Sequence, residues 1–143
     1  EGAIVVQSLG YRVSDGTSIA EGVWSPTSLI SPLTFSGSVN LSGATSAKLT
    51  ANIFVLTGGS PTISTSSGLK YRLNGGTWRT SLFTSDEVTA VNAAGSGGMM
   101  GLLINLTLAD LQSGTNTIDF STVSIPQGYY PTIMNIDLLV YTA

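Results

Sequence analysis

The chain has 143 residues, 42% of them hydrophobic and only 9% charged, with 17 glycines, no cysteine and no histidine. Five basic residues against eight acidic ones give a net charge of -3, which excludes the clustered cations of a nucleic-acid footprint. The missing cysteine and histidine exclude disulfides, thiolate chemistry and a Ser-His-Asp triad, and no apolar stretch is long enough for a membrane helix.

Ala3 to Gln7, a β-branched run, predicts an opening strand. Leu33, Phe35, Val39 and Leu41 alternate with polar neighbours. Ala47, Leu49, Ala51, Ile53 and Val55 do the same against Lys48, Thr50 and Asn52. Glycine-, serine- and threonine-rich segments at 57–68 and 92–98 read as loops, and Asp86-Glu87 as a solvated loop pair.

Between those segments, Leu69-Lys-Tyr-Arg-Leu-Asn-Gly-Gly-Thr-Trp-Arg-Thr-Ser-Leu82 predicts a hairpin. With Gly75-Gly76 as the turn, Arg72 stands opposite Arg79. Whichever two residues make the turn, parity is preserved, so Leu69, Tyr71, Leu73, Trp78, Thr80 and Leu82 share one face, which makes Trp78 a core residue. Lys70, Arg72, Arg79 and Ser81 share the other, and the facing arginines call for an anion, either a carboxylate such as Asp86 or Glu87 or a uronate.

Met100, Leu102, Ile104, Leu106 and Leu108 form a further strand, and Thr117 to Phe120 another. Met134, Ile136, Leu138 and Val140 close the fold, with Asp137 and Tyr141 turned the other way. Phe54, Leu56 and Leu103 on the opposite faces predict strands covered on both sides. Helical periodicity is nearly missing, so the expected fold is an all-β, antiparallel β-sandwich of jelly-roll type, one domain over 1–143. With no initiator Met at Glu1 and a surface of hydroxyls and amides, the chain reads as a module cut from a larger secreted or cell-surface protein.

No acids are paired at catalytic spacing, so no catalytic residue is assigned and no enzyme activity is expected. No cofactor is required. A structural calcium is compatible with carboxylates from separate loops, and Glu1, Asp15 and Asp137 are the acids to watch. Sugar rings dock their apolar faces on aromatic planes. Trp24, beside Ser25-Pro26, and Tyr129-Tyr130, between Gly128 and Pro131, are placed in loops that suit this, and Arg72 and Arg79 supply hydrogen-bonding forks.

The run from Leu33 to Val55, the segment Leu108-Ala-Asp-Leu-Gln-Ser-Gly-Thr-Asn-Thr-Ile-Asp-Phe120 and the final Asn135-Ile-Asp-Leu-Leu-Val-Tyr141 together resemble the galactose-binding-like jelly rolls. That family includes many carbohydrate-binding modules of polysaccharide-degrading enzymes. The resemblance implies a noncatalytic module that holds a polysaccharide, acidic if the arginines read uronates, beside other domains of a parent protein. It also implies a structural calcium, although this chain has few acids near its start. The rival from another class is a structural or adhesive module of a fibre, capsid or cell surface.

Overall fold

The structure is a computed structural model that describes residues 32–35, 37–56, 63–94, 97–125 and 131–142, and the backbone of 10–14 and 21–22. The strands are β1 (Gly10–Ser14), β2 (Glu21–Gly22), β3 (Leu33–Thr34), β4 (Ala44–Leu56), β5 (Gly68–Leu73), β6 (Arg79–Leu82), β7 (Gly97–Leu106), β8 (Thr117–Val123) and β9 (Thr132–Thr142). A helix α1 (Ser85–Ala93) precedes β7, and a 3-10 turn (Leu108–Asp110) follows it. One antiparallel sheet has the order β1-β9-β4-β7, with β2 also on β9, and the second has the order β3-β8-β5-β6. The result is an all-β sandwich. The predicted opening strand at Ala3 to Gln7 lies outside the described residues.

Period-two alternation decides which faces meet. Ala47, Leu49, Ala51, Ile53 and Val55 from β4 and Leu102 and Ile104 from β7 bury against Leu69, Tyr71 and Leu73 from β5 and Ile118 and Phe120 from β8. Phe35, Val39, Ile63, Phe83, Leu111 and Ile125 complete the same core. In β9 the alternation breaks, because Asn135 adopts a left-handed φ of 54° and the register on β4 shifts between Thr50 and Asn52. This bulge lets Ile133 and Ile136, three positions apart, both reach the core with no exposure. Asp137 and Tyr141 do turn to the outer face, and both are buried there. The expected covering of the outer faces fails at Leu103, which is 62% exposed, and Phe54 is only half-buried.

The segment 85–93 is helical, where Asp86-Glu87 was expected as a solvated loop pair. Thr84 Oγ1 accepts the Glu87 amide at 3.2 Å while Glu87 Oε1 accepts the Thr84 amide at 2.8 Å, a reciprocal cap that satisfies two otherwise orphaned donors. The spacing Thr84-x-x-Glu87 is legible in the sequence. Among α1 residues only Val91 is buried, so hydrophobic periodicity gave no signal.

The connection from β7 to β8 is held by Asn116, which has no solvent exposure. Its Nδ2 donates to the Gln112 carbonyl at 2.8 Å and to the Gly114 carbonyl at 3.3 Å. Its Oδ1 accepts from the Gln112 amide at 3.0 Å and from Asn74 Nδ2 at 2.8 Å. Asn74 in turn donates to the Asp110 carbonyl at 3.0 Å and accepts the Thr117 amide at 3.0 Å. Gly114, with a φ of 95°, exchanges backbone hydrogen bonds with Val39. One buried amide thereby ties the β5 turn to the 110–117 segment.

Asp110 closes the same corner through its side chain. Its carboxylate accepts Nε of Arg79, and a second bond from Nη2 at 2.9 Å makes the pair a fork. The hydrogen bond from Arg79 holds the Asp110 carboxyl below the usual carboxylate range, and the same bond raises Arg79. Burial raises the neighbouring Tyr71 phenol, with Arg79 opposing and Asp110 adding.

Two outcomes follow from this corner. Asn116→Ala strands the donors and acceptors it served and costs about 3 kcal/mol in urea unfolding. Asn116→Asp, which removes both donors, costs at least as much, and a loss below about 1 kcal/mol for either would show that water replaces the network. Asp110 titrates lower folded than an unfolded aspartate, near 3.9, so its stabilisation is complete above that value and fades as pH falls through the folded pKa. The urea midpoint of Asp110→Asn should therefore decline less steeply than wild type on acidification from about pH 5 to about pH 2. Parallel declines would remove the pair from the account of acid stability.

Candidate functional site

The β5–β6 connection departs from the expected two-residue turn. Asn74 and Gly75 both take left-handed φ values, 54° and 67°, and the Gly76 amide closes the turn on the Leu73 carbonyl at 2.9 Å. Gly75-Gly76 is therefore not the turn. Further residues follow before pairing resumes, and the register sets Tyr71 opposite Arg79 and Leu69 opposite Ser81. An odd number of residues between Tyr71 and Arg79 flips the whole of β6 relative to the expected pairing. The turn, tied through the Asn74 side chain to Thr117 and Asn116, starts one residue early, which alone would keep the parity; the flip comes from Thr77 and Trp78, two residues set against the single Arg72 between the turn and the first pair.

The flip reverses two expectations. Trp78 is half-buried and outside the core, and it lies on the outer face of the β5–β6 sheet, where the Arg72 guanidinium carbon sits 4.7 Å from the ring centre. Arg79 moves to the opposite face, beside Tyr71 and against Asp110. Arg72 and Arg79 therefore do not face each other, and the like-charge repulsion expected between them does not arise.

Each arginine is answered by an aspartate, though not by the nearby acids. Asp86 is exposed in the first turn of α1, and Glu87 is engaged in its cap. Arg72 instead donates Nε to Asp119 Oδ2 at 2.7 Å, from directly across the β5–β8 pair. The Asp119 side chain is 2% exposed and that of Arg72 29%. Arg72 thus spans a buried carboxylate and a partly exposed indole, and among the described residues its Nη groups make no hydrogen bond. Lys70 and Thr80 stand exposed on the same face, as does Leu82 at 49%.

The sequence nominated Arg72 for this face but missed Trp78 and Asp119 as its partners. Cross-strand register was the only signal for them. Trp24, Tyr129 and Tyr130 lie outside the described residues, as do Glu1 and Asp15. Among the described residues no group of three acids converges on one point. No helix among them is long and apolar enough to cross a membrane.

No protein-family model matches the chain, and no curated protein is similar to it in sequence. A solved structure shares its architecture. A β-porphyranase of glycoside hydrolase family 86 from the human gut bacterium Bacteroides plebeius superposes with a TM-score of 0.60 at 14% identity, over 93% of this chain and 20% of that one. Dimeric latent PorU from Porphyromonas gingivalis gives 0.47 at 11% identity, over 98% of this chain and 13% of that one. CBM35 from Cellvibrio japonicus Abf62 gives 0.38 at 12% identity, over 94% of both chains. The chain spans about a fifth of the porphyranase, and at this identity the likeness shows a common fold.

Proposed function

We propose that the chain is a noncatalytic carbohydrate-binding module, exported as part of a larger protein, that holds a polysaccharide on the outer face of the β3-β8-β5-β6 sheet. The observation that carries this reading is the indole of Trp78, set outside the core and fixed over Arg72, which is itself fixed by Asp119. A pyranose ring offers an apolar C–H face to such a plane and hydroxyls to the groups around it. The indole face turned away from Arg72 takes the sugar, and the Nη groups of Arg72 and the hydroxyl of Thr80 take hydrogen bonds. Trp24, Tyr129 and Tyr130 belong to the proposal by their sequence context alone.

Two further observations support it. The acids of the hairpin region are committed to arginines, Asp119 to Arg72 and Asp110 to Arg79, which leaves no carboxylate pair for glycosidic hydrolysis there. The fold is shared with part of a polysaccharide-degrading enzyme, the porphyranase. The cations Lys70 and Arg72 favour an anionic polymer, because an arginine fork matches a carboxylate and a lysine adds a point charge beside it.

Trp78→Ala is the discriminating variant. It should reduce retention in a polysaccharide affinity gel at least tenfold, about 1.4 kcal/mol, while costing under about 1.5 kcal/mol in unfolding. Loss of the fold together with binding would return Trp78 to a packing role, and unchanged retention would sink the site. For an anionic polymer, raising salt from about 0.1 M to about 1 M shortens the screening length from roughly 10 Å to 3 Å and should weaken retention, less so in Lys70→Ala. Equal retention of neutral and anionic polymers at both salts would discard the anionic preference.

A further inference from the structure

The strand β7 differs from the other edges of the sandwich. In the second sheet the edge strands β3 and β6 have two and four residues, and β6 carries Arg79. In contrast β7 runs for ten residues, Gly-Gly-Met-Met-Gly-Leu-Leu-Ile-Asn-Leu, with no charge, no proline and an unbroken register on β4. Among the described residues no strand pairs with its other side. Long edges of this kind are ordinarily shortened, charged or bulged, since a row of unpaired N–H and C=O groups recruits another strand.

We propose that this edge pairs with a second copy of the same chain, the two β7 strands running antiparallel about a two-fold axis at Gly101. The choice of occupant rests on the strand's own symmetry. Met99-Met100-Gly101-Leu102-Leu103 has the same apolar pattern in both directions, so an isologous pairing centred on Gly101 sets apolar residues against apolar residues throughout. In an antiparallel pair, residues directly opposite share a face. Centring on Gly101 therefore sets Met99 of one copy opposite Leu103 of the other, twice, on the outer face. These are large exposed hydrophobic residues, 56% and 62% accessible, and such cross-strand apolar pairs stabilise sheets.

The described surroundings accept this arrangement. At Gly101 an added Cβ meets nothing within 4 Å among the described residues, so the outer face above this position is open. Helix α1 approaches β7 on the inner face, where Val91 and Ala94 lie next to Gly98. Phe54, opposite Met99 on β4 and half-buried, borders the apolar strip. Each chain carries a net charge of -3, and β7 brings none of it to the contact.

Sedimentation of the whole chain tests this independently of sugar binding. The mass should rise from 14.7 kDa to twice that as concentration passes through the micromolar range. Leu103→Lys should hold it at one copy with an unchanged melting temperature, whereas Leu82→Lys, on an edge of the other sheet, should leave the dimer intact. Because the native chain has no cysteine, Gly101→Cys should oxidise to a single disulfide-linked dimer. A wild-type chain that stays at one copy, a dimer that survives Leu103→Lys, or a Gly101→Cys dimer that stays reduced overturns the proposal.

Discussion

The side chain of Asn116 is the point on which the polar architecture turns. Its amide group makes four hydrogen bonds in a place without solvent, and three of them bind the chain to itself between Gln112 and Gly114. The fourth, to Asn74, reaches across to the turn after β5. A buried amide left partly unsatisfied is more costly than none at all, so the corner forms as a unit or not at all. Asp110 lies in the same unit and supplies its carbonyl to Asn74 and its carboxylate to Arg79.

From that corner the position of the aromatic platform follows. Asn74 fixes where the turn begins, the extra residue set against Arg72 after it fixes the parity of β6, and parity sends Trp78 outward while it sends Arg79 to the edge of the core. Had a single residue faced Arg72 after the turn, the indole would pack inside beside Tyr71 and Arg79 would share the outer face with Arg72. The two ion pairs therefore have different duties. Arg79–Asp110 fastens the corner, and Arg72–Asp119 supports a surface.

Much of the sandwich is legible in the sequence, because its strands obey simple alternation. The odd positions of β4 from Ala47 to Val55 are all buried, and Leu102 and Ile104 of β7 face them as their pattern predicts. What alternation cannot carry is a change of phase. In β9 the left-handed backbone of Asn135 inserts one residue and moves a core position to Ile133. In the hairpin the phase depends on one extra residue after the turn, where Thr77 and Trp78 stand against Arg72 alone. Helix α1 escaped notice for the opposite reason, since its cap is written locally while its single buried residue, Val91, leaves no periodic trace. Arg72 could be nominated from composition, but its acid lies 47 positions downstream and is chosen by register alone.

The indole of Trp78 rests on a guanidinium whose own freedom is already removed by a buried carboxylate. Ordering a mobile interfacial side chain costs about 0.5–1.5 kcal/mol on association, and here that entropy is surrendered when the protein folds. A ligand arriving at this surface meets a platform already arranged, so even a shallow contact suffices to hold it briefly. On the proposed reading, a polymer meets this platform without reordering it, and contacts can be exchanged one sugar unit at a time along its length.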